Sequence, residues 1–187
     1  MSQDRNGRFR GATWVAGRIG SNAVRLTGSN QYVDLPDALV QGCTDFTFAG
    51  WVNLAAAQYW ARIFDFGSGT ATNMLTARAG GTTLRFAIKN AGGAEQQISY
   101  ATTFPTNQWR HVAVVLSGNT GRLYLSGIQV AHNTNLVLNP INLGATPNVR
   151  LGRSQYTADP YLHGTLDDVR MSCRADSAEE VAALAAM

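Results

Sequence analysis

The sequence predicts an all-β protein, an antiparallel two-sheet sandwich closed by one short C-terminal helix. Three observations carry that prediction. Apolar and polar residues alternate with a period of two in six separate stretches. Those stretches recur about every 8 to 15 residues, divided by Gly, Asn, Pro and Ser clusters with no helical pattern between them, which favours an antiparallel sandwich over a parallel sheet. A helix-start signature occurs once, at the end of the chain.

In chain order the strands are "DFTFAGWVN" (45–53), "TLRFAIKN" (83–90), "QQISYATT" (96–103), "WRHVAVVLS" (109–117), "RLYLSGIQVA" (122–131) and "NVRLGRS" (148–154). Within the fifth, "LSG" at 125–127 reads as a hairpin turn. Trp51 and Trp109 sit inside strand blocks and are expected in the core, and His111 in "WRHVAVV" is expected to be a satisfied sheet histidine. In the last strand, alternation puts Leu166, Asp168 and Arg170 on one face and Asp167, Val169 and Met171 on the other. Asp167 then lies on an apolar face and needs a partner, because an unpaired buried charge is costly. The helix follows: Ser177 and Glu180 form a capping box ahead of "VAALAAM".

Composition bounds the function. The chain of 187 residues is long enough for one filled core, and with 14% charged residues, 45% hydrophobic residues and 19 glycines it is globular and loop-rich. The net charge of +3 is spread along the chain, with no run of Lys or Arg, so no nucleic-acid partner is expected. No apolar run reaches the roughly 18 to 20 residues of a membrane span, and "MSQDRNGRFRG" lacks the apolar stretch of a signal peptide. Cys43 and Cys173 have no zinc spacing. They flank the strands at 45–53 and 165–172, so antiparallel pairing of those strands would bring them within bridging distance.

Four ordered blocks, "NAVRLTGSNQYVDLP" (22–36), "DFTFAGWVN" (45–53), "QWRHVAVVLSGNTGRLYLSGIQVA" (108–131) and "LHGTLDDVRM…DSAEEVAAL" (162–184), resemble the laminin G-like, concanavalin A-like jelly-roll superfamily. The resemblance implies a jelly roll over residues 15–187, with 1–14 as an N-terminal extension. It also implies a carbohydrate-binding module beside a tethered catalytic domain, secreted or extracellular as part of a larger protein; protein–protein adhesion of the laminin G type is the alternative. Family members often hold a structural calcium where Asp167 stands, which implies calcium here with Gly28, Asn30 and Asp167 as a partial ligand set. This sequence has Thr27, Asn30 and Gln31 where the family tends to place acids. The other account of Asp167 has it accepting hydrogen bonds from backbone amides or an arginine. Both stand at this point.

A sugar site needs flat apolar faces and planar polar groups. "AQYWARIFDFG" (57–67) offers Tyr59, Trp60, Arg62 and Asp65, and "LGRSQYTADPYLHG" (151–164) offers Arg153, Gln155, Tyr156, Asp159, Tyr161 and His163. Tyr59, Trp60, Arg62, Arg153, Gln155, Tyr156, Asp159 and Tyr161 are therefore the expected contacts for a polysaccharide or glycan. The competing reading makes Arg62 and Asp65 buried partners of other charges and makes the 153–163 cluster a loop-stabilising network. A glycosidase needs two carboxyl groups facing each other across the sugar. Glu is scarce, Asp167 and Asp168 point apart, and no nucleophile elbow, zinc motif or phosphate loop occurs. No catalytic residue is expected.

Overall fold

The computed structural model describes residues 7–187. Two seven-stranded antiparallel sheets stack face to face. Numbered in chain order, the first sheet runs β1 (Arg8–Arg10), β4 (Tyr32–Asp34), β13 (Asn148–Leu151), β6 (Arg62–Ser68), β7 (Ala71–Thr76), β8 (Thr83–Lys89), β9 (Gln96–Ala101). The second runs β12 (Ile128–Asn133), β11 (Thr120–Leu125), β10 (Trp109–Ser117), β5 (Phe46–Ala56), β14 (His163–Ser172), β3 (Ala23–Thr27), β2 (Thr13–Val15). A 3-10 turn at Pro140–Leu143 precedes β13, and α1 (Ala178–Ala185) closes the chain with the expected Ser177–Glu180 capping box.

The inner faces meet in one apolar core. Phe48 and Phe64 have ring centroids 4.4 Å apart across the sheets, and Phe64 stacks on Phe66 at 4.6 Å. Each fully buried ring contributes on the order of 2 to 3 kcal/mol of transfer free energy, and Phe46, Phe86 and Phe104 add to the same cluster. A smaller core lies on the outer face of the second sheet. There Val181 of α1 packs on Ala49, Ala113, Val115 and Tyr124, so an amphipathic helix of only two turns is fixed by tertiary burial.

Residues 8–14, expected before the domain, together with Val15 supply an edge strand to each sheet. Arg8–Arg10 pairs with β4 and Thr13–Val15 with β3, and Phe9 and Trp14 meet with centroids 4.7 Å apart. Trp51 and Trp109, expected in the core, both lie on the outer face of the second sheet. Trp51 is opposite His111, and Trp109 opposite Asn53, one pair further along. Trp51 is buried there by Arg18, whose guanidinium lies 4.6 Å from its ring centroid, while Trp109 is half-buried. His111 is buried as expected, but its Nδ1 has no hydrogen-bond partner.

Alternation in β14 does not run unbroken. A bulge between Asp167 and Arg170 sets two residues against one on β5, with Asp168 at a φ of 44°. Val169 and Met171 therefore reach the inner core, whereas Asp167 turns outward beside Trp51. The same pairing continues to Ser172 opposite Thr47, and just beyond it Cys43 and Cys173 are joined by a disulfide, Cα atoms 4.7 Å apart.

Candidate functional site

The outer face of the first sheet carries the chemistry. Pairing across β1, β4, β13 and β6 puts Arg8, Asp34, Arg150 and Asp65 in one row of alternating charge. The loop from Gly152 to Leu162 folds down over this face between β13 and β14. It is pinned by Asp65, which is fully buried on β6. Its carboxylate accepts the backbone N–H of Gln155 at 3.1 Å and the hydroxyl of Thr72 at 3.0 Å, with Ser154 Oγ at 3.3 Å and Arg62 Nε at 3.4 Å beside it. Burial pushes the Asp65 carboxyl above its usual range, against the pull of Arg62 and these hydrogen bonds. Gln155 Nε2 donates to Ala71 O at 2.9 Å, and a Cβ at Gly67 would collide with that same carbonyl oxygen and crowd the Gln155 nitrogen, so glycine is needed where the hairpin and the loop meet.

The expected contact residues divide into three places. Arg62 and Asp159 face each other: Arg62 Nη2 donates to Asp159 Oδ2 at 2.9 Å, Arg62 Nη1 donates to Trp60 O at 2.9 Å, and Ser154 Oγ donates to the same Asp159 oxygen at 2.7 Å. With Gln155 they form a brace under the loop. Tyr156 stands exposed above it, and the ring of Trp60 lies 5.4 Å from Arg62 and 5.5 Å from Arg85. Arg153 and Tyr161 lie in a second place. The Arg153 guanidinium is 4.7 Å from the Tyr32 centroid and 5.5 Å from that of Tyr161, the two rings being 6.3 Å apart. Tyr161 Oη donates to Asn30 Oδ1 at 3.0 Å. Arg153 makes no hydrogen bond or ion pair among the described residues, so its donors are unspent. Tyr59 is in a third place, under Arg78 at 3.7 Å from its ring centroid.

Tyr32 was missed in the sequence because it sits in a three-residue strand, far along the chain from its partners. Its one signal is the alternation in Tyr32-Val33-Asp34, which puts Tyr32 on the same face as the charged Asp34 and opposite the buried Val33.

Gly28, Asn30 and Asp167 do not form one ligand set. Gly28 lies against His163, and Asn30 binds Tyr161. Asp167 is further along β14, where its Oδ2 accepts the backbone N–H groups of Arg18 at 2.6 Å and Ile19 at 2.7 Å and its Oδ1 accepts that of Asp168 at 2.8 Å. Donors converge on this carboxylate where a cation would require acceptors. Among the described residues no group of three or more His, Cys, Asp or Glu is placed to hold a metal ion, and no helix is long and apolar enough to cross a membrane.

Known proteins match this architecture. Domain 4 of AbnA, a GH43 extracellular arabinanase from Geobacillus stearothermophilus whose structure was solved with arabinotriose, superposes with a TM-score of 0.82 at 22% identity, covering 96% of this chain and 87% of that one. The binding domain of Paraclostridial Mosquitocidal Protein 1 superposes with a TM-score of 0.74 at 16% identity, over 98% of this chain and 48% of that one. At such identities the likeness is one of fold. In sequence, an alpha-L-arabinofuranosidase of Bifidobacterium longum subsp. longum is 24% identical over an alignment of 173 positions that covers 85% of this chain and only 16% of that protein. The model of the concanavalin A-like lectin/glucanases superfamily matches residues 27–182. The four sequence blocks, the paired seven-stranded sheets and this match over most of the chain agree, and the chain belongs to the concanavalin A-like lectin/glucanases superfamily.

Proposed function

We propose that the chain is a non-catalytic carbohydrate-binding module that serves a larger, extracellular glycoside hydrolase, and that it binds an arabinose-containing glycan. The observation that carries this reading is Arg153, a guanidinium held against two tyrosine rings with its hydrogen-bonding capacity unspent. Such a group offers donors in a fixed plane to hydroxyl pairs, while Tyr32 and Tyr161 offer faces to the C–H side of a sugar ring. Tyr156 supplies a further exposed face on the same loop. Arg62, Gln155 and Asp159 act behind these contacts by holding the loop in place. The arabinotriose in the similar arabinanase domain and the arabinofuranosidase relative supply the sugar class.

The arrangement of Asp65 and Asp159 supports the non-catalytic part of this reading. Asp65 and Asp159 share Arg62 and Ser154, but Asp65 is sealed beneath the loop, so the two cannot flank a glycosidic bond. The oxidising environment in which a bridge such as Cys43–Cys173 persists supports an extracellular setting.

The test is retention on arabinan in affinity gels. Arg153→Ala and Tyr161→Ala should each weaken retention about tenfold or more while leaving the melting temperature within a few degrees, since neither is part of the brace. Full retention by both folded variants would sink the assignment.

A further inference from the structure

Beside Tyr32, at the β1–β4–β13 edge of the same outer face, lies a cavity of about 320 Å³. Arg10 and Arg150 converge there on Asp34, and Arg8 lines the same cavity. Arg10 Nη2 is 3.2 Å from Asp34 Oδ2, and Arg150 Nε is 3.4 Å from Oδ1, so each carboxylate oxygen already faces a guanidinium. The register puts Arg8 directly opposite Asp34 as a third. Leu35, Pro36 and Pro147 line the rest of the cavity with apolar surface, and the exposed Asp37 stands on its rim.

Among the described residues, three guanidiniums against two carboxylates give the cavity one positive charge in excess. Arginine forks match a carboxylate in a way that no neutral sugar hydroxyl can. The two acids also have a consequence: they accept hydroxyl hydrogen bonds and repel a densely charged polyanion. The ligand that satisfies all of these features is a ring with an apolar face, hydroxyls and one carboxylate. We propose that this cavity takes a uronic acid residue of the glycan, next to the sugar held at Arg153. This rests on the glycan-binding reading above. Tyr32 connects the two positions, since Arg150 lies 5.7 Å and Arg153 4.7 Å from its ring centroid.

The experiment uses the full chain on affinity gels containing polygalacturonate, its fully methyl-esterified form, neutral arabinan or a sulfated glycan. Polygalacturonate should retain the protein at least about tenfold more strongly than the ester, which keeps the ring and removes only the charge. Arg8→Gln combined with Arg10→Gln, both exposed on the edge strand, should abolish that difference and leave arabinan retention unchanged. Equal retention on the acid and the ester overturns the proposal without any variant. So does retention on the sulfated glycan that equals or exceeds that on polygalacturonate, or a double variant that keeps the acid preference. Loss of arabinan retention in Arg153→Ala with the acid preference intact supports both readings. Wild-type protein that ignores arabinan yet prefers the acid over the ester leaves the cavity assignment standing and removes arabinan as the neutral ligand.

Discussion

Asp167 ties the loop before β3 to the middle of β14 through the backbone N–H groups of Arg18 and Ile19 and accepts a third from its neighbour Asp168, and Gly17 stands so close that a Cβ there would fall 2.7 Å from Oδ2. Hydrogen bonds to a charged acceptor are worth about 1.5 to 3 kcal/mol each before coupling, and their loss leaves partly buried amides without a partner. Asp167→Ala should therefore cost about 2 to 4 kcal/mol in urea unfolding. Excess chelator should leave the wild-type melting temperature unchanged, because the carboxylate is occupied by donors; a chelator-induced drop of several degrees would restore calcium to this site. That Asp167 has a partner is the expectation from the sequence, but its premise, an apolar face shared with Val169 and Met171, fails at the bulge, and Asp167 is buried on the outer face instead. The partner itself was not legible, because Arg18 lies 149 residues away and contributes a backbone group that any residue type carries. Arg62 repeats the lesson: its pairing with a carboxylate was one of two readings, but Asp159 became the partner only through the fold of a loop 97 residues on.

Among the elements, β14 joins the most distant parts of the chain. It lies between β5 and β3, and its bulge at Asp168–Val169 turns the strand so that Val169 and Met171 fill the core beyond the outward-facing Asp167. Period-two reasoning predicted the strand but not the bulge, because a bulge inserts one residue without changing the hydrophobic count and only φ at Asp168 betrays it. The edge strands β1 and β2 were illegible for a related reason: three residues are too few to show a period. The disulfide was legible, because both cysteines sit just outside two strands whose antiparallel pairing brings those ends together. It closes a loop with a sequence separation of 130. Replacing Cys43 and Cys173 together by Ser should lower stability by about 3 to 5 kcal/mol on the chain-entropy account. Urea curves of the double variant and the oxidised wild type measure it, and overlapping midpoints would mean that the denatured chain is already as compact without the bond.

At the scale of the whole molecule, the two faces of the sandwich have different electrostatic characters, and stability against pH follows from the ionisable group buried in each. On the second sheet His111 is almost completely buried beside Trp51, with centroids 5.5 Å apart, and burial lowers its pKa to about 4, the nearby Asp168 opposing the shift and Arg170 adding to it. An unfolded histidine titrates near 6.5, so between about 6.5 and 4 the unfolded chain binds the extra proton and stability falls as the pH falls. The size of that loss is at most about 3 kcal/mol. Asp65 on the first sheet has the opposite sign. Its folded pKa is raised by burial, so above the ordinary carboxylate range its contribution declines as the pH rises. The wild-type profile is the difference of the two. His111→Phe, which keeps an aromatic ring against Trp51, should remove the acid loss, so that stability from urea unfolding falls less between pH 6.5 and 4 in the variant than in the wild type. Parallel profiles for wild type and variant across that window would show that His111 is protonated equally in both states, and that its burial does not govern the acid limb.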